Sequence, residues 1–337
     1  MDEPLLKMAW KRTIETMAKE FKDLIRALRR IMDKIYDAVE QRIRERRPMP
    51  GKPRQKPQQN LSFRRLSDVS GRKTSARAKA PRAETPAVVE PAPALDSDEP
   101  IYAIGDIHGR ADLLKRLLDV IEEDCAEIEQ QAHIIFLGDY IDRGFQSRQV
   151  ISTLIELGEN SKYKTTFLKG NHEQAMLHFM RDHKIGPDWA SFGGRETLIS
   201  YNVVPPKSVD MVDQWEPIQK SLKRRIPEEH VTFLETLAVS HQIGPYAFVH
   251  AGVKPGVPYE QQRDEDKLWI RDEFLNAQDK EDLFIVHGHT PVDTPYRDHR
   301  RVNVDTGAYF TGKLAAVKIY KDQMSFLTNE SKGDTST

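Results

Sequence analysis

Five short apolar runs in this 337-residue chain each lead straight into a motif whose side chains can bind a metal. Residues 101–104 lead into Gly105-Asp106-Ile107-His108-Gly109, residues 134–137 into Gly138-Asp139-Tyr140-Ile141-Asp142-Arg143-Gly144, and residues 165–168 into Gly170-Asn171-His172-Glu173. Residues 246–249 lead into His250-Ala251-Gly252, and residues 283–286 into His287-Gly288-His289-Thr290. Two divalent cations about 3.5–4 Å apart need one oxygen ligand that both share, with neutral imidazoles and terminal oxygens around it. Asp106 and His108 flank a single residue of an extended segment, so they project to one side and can grip one ion. Asp139 opens the next tight loop and is the candidate bridge. Asn171 offers an amide oxygen, and His250 with His289 would complete the second shell. Each motif alone is a common turn, but in this order at five successive strand ends they describe a dinuclear metal site.

The same loops hold groups that are not ligands. Asp142 lies three residues past Asp139, and His172 follows Asn171, which pairs a carboxylate with an imidazole able to protonate a leaving alkoxide. Arg143 and Arg271 offer planar donors suited to phosphate oxygens. Asp305 either hydrogen-bonds a ligand histidine or caps its own turn.

Strands buried in a two-faced sheet read as short apolar runs, and ligands gather beyond their carboxyl ends. Helical spacing over 111–129, 149–157 and 173–181 after the first three runs gives the rhythm of βα units. Residues 189–201 and 203–227 break that rhythm with Gly193-Gly194 and Pro205-Pro206, which predicts a cap inserted over the site at about 186–228. The catalytic domain is expected over 98–325, followed by a polar tail at 326–337.

The front of the chain has another character. Over residues 5–46, Trp10, Ile14, Met17, Phe21, Leu24, Leu28, Ile31 and Ile35 recur at steps of four and three, the seam of an amphipathic heptad-patterned helix. Such a helix is not stable alone, so it should join copies of the chain into a homo-oligomer, pack on a partner helix or the catalytic domain, or lie on an anionic membrane surface. Residues 47–97 are rich in Pro, Lys, Arg, Ser and Ala without periodic apolar residues, which predicts a flexible basic linker. Residues 1–95 hold 23 basic and 12 acidic residues, a net of +11, while the remainder holds 28 and 40, a net of −12. The overall charge of −1 therefore conceals a bipolar chain. Few aromatics lie between the basic residues, so no specific nucleic acid is expected as a partner. The single cysteine, Cys125, cannot form an internal disulfide. No run of about 18 apolar residues and no signal peptide is visible, so the cytoplasm is the expected compartment, with a peripheral place at the membrane left open.

The blocks GDIHG, GDYIDRG and GNHE resemble the three signatures of the metal-dependent serine/threonine phosphoprotein phosphatase family, which has the calcineurin-like metallophosphoesterase fold. His250-Ala251-Gly252, Leu268-Trp269-Ile270-Arg271, Gly288-His289-Thr290-Pro291 and Asp305-Thr306-Gly307-Ala308 are similar to its bacterial and phage lambda branch. The resemblance covers about residues 100–320 and leaves 1–97 outside. It implies an α/β four-layer sandwich, two mixed β-sheets packed face to face and flanked by helices. It implies Asp106, His108 and Asp139 on one metal and Asp139, Asn171, His250 and His289 on the other. It also implies direct attack of a metal-bridging hydroxide on phosphorus, with Arg143, Asn171 and Arg271 on the phosphoryl oxygens and His172, paired with Asp142, as general acid. Mn2+ is the usual activator of that branch, though the donor set suits Fe or Zn equally. In the family block the ligand stands immediately before Thr, which selects His289 over His287 and leaves His287 a supporting or packing residue.

Hydrolysis of phosphomonoesters on Ser or Thr of a phosphoprotein or phosphopeptide is the leading expectation. A symmetrical dinucleoside tetraphosphate hydrolase is the nearest alternative. Relatives of that kind typically replace the second carboxylate of GDYIDRG and the Glu of GNHE, whereas Asp142 and Glu173 stand here. A non-catalytic phosphatase-fold scaffold assembled by the N-terminal helix is the alternative of another class, and the intact ligand set argues against it.

Overall fold

The computed structural model describes residues 92–330 except 127, 129 and 161. The helix expected over 5–46, the linker up to residue 91 and the tail after 330 lie outside the described residues.

Among the described residues, ten strands form two sheets of five. The first sheet contains β1 (Ile101–Ile104), β2 (His133–Phe136) and β3 (Lys164–Phe167), with β9 (Ala315–Tyr320) and β10 (Gln323–Thr328), in the order β10-β9-β1-β2-β3. The second contains β4 (Ser240–Ile243), β5 (Tyr246–Val249), β6 (Phe284–His287), β7 (Tyr296–Arg297) and β8 (Arg301–Asn303), in the order β4-β5-β6-β8-β7. Each sheet contains three parallel neighbours, β1–β2–β3 and β5–β6–β8; in the first sheet the antiparallel pair β9 and β10 lies beyond β1 and β3 forms the edge, and in the second antiparallel β4 and β7 flank both sides. Parallel neighbours present their carboxyl ends at one edge, which is why the five motifs can converge.

Alternation along the strands sorts side chains between two layers. Ile101, Ala103, Ile135 and Leu137 pack with Tyr246, Phe248, Val286 and Val302, filling the space between the sheets. Tyr102, Ile104, Ile134 and Phe136 point the other way, onto Leu113, Leu114, Leu117 and Ile121 of α1 (Ala111–Asp124) and Val150, Ile151 and Leu154 of α2 (Ser147–Glu159). Ala247, Val249 and Ile285 form a third cluster with Ile270 and Phe274 on the far side of the second sheet. The result is the expected sandwich of two mixed sheets with helices outside. Each fully buried Leu or Ile in it contributes about 1.5–3 kcal/mol.

Three boundaries differ from the sequence expectation. Residues 92–97, expected as linker, belong to the fold. The Leu95 side chain is buried between the sheets, its N–H donates to the Lys321 carbonyl at 2.9 Å, and the Tyr246 hydroxyl donates to the Pro93 carbonyl at 2.6 Å. Residues 326–328, expected as tail, complete β10, and Phe326 packs against the inter-sheet core. The region at 186–228, expected as a cap apart from the core layers, is instead part of the outer helical layer. It follows α3 (Asn171–Arg181) as α4 (Gly186–Trp189), a π-helical turn Ala190–Gly194, α5 (Arg195–Ser200) and α6 (Trp215–Arg225), with α7 (Glu228–Thr236) next. Trp189 and Trp215 are fully buried in the same cluster as α1 and α2, with Phe179 stacked on Trp189 at 4.9 Å. Two indoles of that size cannot be left to solvent, so the segment folds into the core. The remaining helices are α8 (Asp264–Trp269), α9 (Asp272–Leu275) and α10 (Ala308–Thr311). No helix among the described residues is long and apolar enough to cross a membrane.

Candidate dinuclear metal site

The loops after β1, β2, β5 and β6 and the first turn of α3 bring Asp106, His108, Asp139, Asn171, His250 and His289 together, each 4 % exposed or less. The backbone is bent sharply there. His108, Asp139, Asp142, Arg143 and His289 all have positive φ, between 46° and 70°. Non-glycine residues avoid this region, and such bends persist only where the surroundings fix them. Close approach is also built in: a Cβ on Gly170 would lie 2.1 Å from Asp139 Oδ1, so only glycine lets the α3 turn meet that carboxylate.

Two triads share Asp139: His108, Asp139 and His172, and Asp139, His250 and His289. Asp139 Oδ2 lies 3.5 Å from His108 Nε2 and 3.6 Å from His172 Nε2, while Oδ1 lies 3.4 Å from His250 Nε2. His250 Nε2 is 2.9 Å from Asn171 Oδ1 and 3.1 Å from His289 Nδ1. Asp106 Oδ2 is 3.9 Å from His108 Nε2, and both Asp106 oxygens accept the His289 backbone N–H, at 3.1 and 3.2 Å.

The donor set fits two divalent cations. His108 Nδ1 faces the Ile141 carbonyl at 2.9 Å and His250 Nδ1 faces the Leu137 carbonyl at 2.9 Å. A carbonyl only accepts, so each Nδ1 carries the proton and each Nε2 turns a lone pair inward. The His250 lone pair then meets the oxygens of Asn171 and Asp139, an arrangement that repels itself unless a cation lies among them. His289 Nε2 is buried with no hydrogen-bond partner among the described residues. Burial raises Asp106 well above the usual carboxylate range, helped by the charges of Asp305 and Asp139, and burial with the Glu173 charge does the same to Asp139. Burial holds His250 down at about 3, and His108 and His289 well below their usual value. Neutral imidazoles beside crowded carboxylates are what a dication stabilises. With oxygen and nitrogen donors and no thiolate, Mn, Fe and Zn all suit the site.

Beside the ligands, His172 Nδ1 lies 2.7 Å from Asp142 Oδ2. Asp142 is fully buried, and four further bonds fix it: Trp189 Nε1 donates to Oδ2 at 3.0 Å, Thr197 Oγ1 donates to Oδ1 at 2.7 Å, and the Asp142 N–H donates to Thr197 Oγ1 at 2.8 Å and to Ser147 Oγ at 3.2 Å. Burial lifts Asp142 to about 7 against these bonds and the nearby Arg143. Arg143 places its guanidinium 2.9 Å from His108 Nε2 and 3.1 Å from His172 Nε2, over the Tyr309 ring at 4.9 Å. Its N–H donates to the Gly193 carbonyl at 3.0 Å, where φ of +110° and a Cβ clash at 2.7 Å with Arg143 require glycine. Arg271 is exposed at the rim and donates to the His289 carbonyl at 3.3 Å.

The open sequence alternatives resolve geometrically. Asp305 Oδ1 accepts the Gly307 N–H at 2.8 Å, the turn-capping arrangement. His287 turns away from the triads, its Nε2 2.8 Å from Arg301 and its ring 5.1 Å from Phe274. His289→Ala is therefore expected to lose one of two bound metals and His287→Ala to keep both, as counted by elemental analysis. Metal loss confined to the His287 variant would reverse that assignment.

The sequence motif assigns Glu173 no part in the chemistry, and the structure gives it a positioning one. Its Oε2 accepts the N–H of Gly170 at 2.8 Å and of Asp139 at 2.9 Å, and Oε1 accepts that of Tyr140 at 2.8 Å, which sews the Asp139 loop to α3. Its place at the third residue of a helix, the capping-box position, was the available signal. Trp189, Thr197 and Tyr309 gave none, because their contacts to Asp142 and Arg143 span 47, 55 and 166 residues of chain.

Residues 99–321 match the calcineurin-like phosphoesterase family, Metallophos. The chain belongs to that family. Among its relatives is the asymmetrical bis(5'-nucleosyl)-tetraphosphatase PrpE of Anoxybacillus flavithermus, 27% identical over 235 residues, which are 64% of this chain and 88% of the relative. The enzyme of the same name from Halalkalibacterium halodurans is 28% identical over 228 residues, with the same shares. A cold-active protein-tyrosine phosphatase of a psychrophile Shewanella species is similar in structure at a TM-score of 0.43, with 15% identity, covering 69% of this chain and 81% of that one. Family membership makes this chain a phosphoesterase with a divalent-metal site. The relatives are named for tetraphosphate cleavage in the asymmetrical sense, whereas the sequence alternative was the symmetrical one.

Proposed function

We propose that this phosphoesterase hydrolyses phosphomonoesters on serine and threonine side chains of proteins. The observation that carries the reading is the His172–Asp142 pair, held at 2.7 Å and braced by Trp189 and Thr197. A serine or threonine alkoxide is a poor leaving group that must be protonated as it departs, whereas a phosphoanhydride leaves without help. Two divalent ions bound by Asp106, His108, Asp139, Asn171, His250 and His289 would supply charge neutralisation and an acidified water. The protein's own groups do the rest. Asp139 holds both sides of the site in register, Arg143 and Arg271 bind and orient the phosphoryl oxygens with Asn171, and Asp142 accepts from the His172 Nδ1–H and stabilises the imidazolium, whose Nε2–H passes to the leaving oxygen.

The names of the relatives support a second reading, asymmetrical cleavage of a dinucleoside tetraphosphate. Turnover of a phosphoserine peptide and of diadenosine tetraphosphate, each with Mn2+, separates the two. The expected result is a higher kcat/KM on the peptide. A reversed ranking with ATP and AMP as products would move the assignment to the second reading, and two molecules of ADP would restore the symmetrical alternative.

A further inference from the structure

The proposed chemistry leaves an aromatic pair beside His172 without a role. Phe192, in the π-helical turn Ala190–Gly194, stands edge-on to the His172 ring at 6.1 Å, and Trp269 lies beyond it at 5.9 Å. Trp269 is 37% exposed, yet its ring is fixed, because Nε1 donates to Gln174 Oε1 of α3 at 2.6 Å. Three segments distant in sequence thus hold a large apolar ring at the rim of the site. An indole fixed through its N–H and packed on Phe192 presents a partly open, preorganised aromatic surface. The position is informative as well. Arg143 lies between His108 and His172, with Tyr309 against His108, while Phe192 and then Trp269 follow on from the His172 ring. If His172 hands its proton to the leaving oxygen, the leaving group extends from His172 toward that pair.

We propose that Phe192 and Trp269 form a leaving-group subsite that takes a flat aromatic ring, and so set the specificity of this phosphoesterase. The inference rests on the reading of His172 as the acid. The ring can come from the base of a nucleotide or from an aromatic residue next to a phosphoserine, and stacking serves either, because every such ring has a π-face.

Two substrate pairs isolate the ring. Adenosine 5'-monophosphate and ribose 5-phosphate differ only in the base, and two phosphoserine peptides can differ only by Phe or Ala beside the phosphoserine. The full chain with Mn2+ is expected to favour the ring-bearing member of at least one pair roughly tenfold or more in kcat/KM. Trp269→Ala should bring that ratio toward one, and Trp269→Phe should restore part of it. Preference in the nucleotide pair alone assigns the ring to a nucleobase, and preference in the peptide pair alone to a phosphoprotein. A ratio near one in both pairs, or an unchanged ratio in Trp269→Ala, overturns the subsite. If none of the four is cleaved, the phosphomonoester reading fails, and calorimetry with adenosine, which has no phosphate to lose, still decides. Binding that Trp269→Ala abolishes supports the subsite, and no binding or equal binding refutes it.

Discussion

Asp139→Asn is expected to remove bound metal and activity together. Asp139 is the one carboxylate common to both triads, with one oxygen facing His108 and His172 and the other facing His250. An amide in its place keeps the size but gives up the charge and one of the two acceptor oxygens, while the imidazoles on both sides remain. The site would then hold fewer negative charges against two dications in a buried space where solvent cannot compensate. The loss should amount to roughly 10³-fold or more in kcat/KM, several kcal/mol of transition-state stabilisation. Elemental analysis gives the metal content, and thermal melts give a second readout, because a metal bound only by the native state raises Tm and that rise should vanish in the variant. Two ions per chain with near-normal turnover would refute the shared-carboxylate assignment.

His172→Asn tests a different link, since it should keep both metals. His172 does reach Asp139 at 3.6 Å, but its Nδ1 is committed to Asp142, and Asp142 is itself held by Trp189 and Thr197. That arrangement orients an acid more than it completes a metal shell. Turnover of an alkyl phosphate should fall by roughly 10²–10⁴-fold. The loss should be smaller for p-nitrophenyl phosphate, whose leaving group departs as a stable anion. Equal losses on both substrates would count against the acid role, and loss of one metal would make His172 a ligand instead.

Much of this site was legible because its chemistry is short-range in sequence. A glycine-bounded motif after an apolar run fixes both the strand end and the side chain beyond it, and five of the apolar runs that gave this pattern became β1, β2, β3, β5 and β6 within one residue of the expected limits. Strands without such a motif were harder to see. β4 and β8, Ser-His-Gln-Ile and Arg-Val-Asn, are polar and short, and their strand character comes from the neighbours they pair with. Whether residues 186–228 lie apart from the core was hard to read for a related reason. Glycine and proline pairs mark interruptions in a pattern, but whether the interrupted segment lies on the core or apart from it depends on where Trp189 and Trp215 find apolar surface.

Sequence alone determined the kind of chemistry here: the order and type of Asp, His and Asn residues, the candidate ligands and acid pair, and a sandwich of mixed sheets flanked by helices to carry them. These follow from local rules, since a residue's donor atoms and the period of its neighbours are fixed by the chain itself. The tertiary structure decided which of two adjacent histidines faces the centre, that Asp305 caps a turn, and that Glu173 ties two motifs together. It also decided that the segment around Trp189 and Thr197 supports Asp142 while placing Phe192 next to His172. Most of those contacts join positions far apart in the chain, and those to Asp139 and Asp142 meet backbone at positive φ that the packed fold must hold in place.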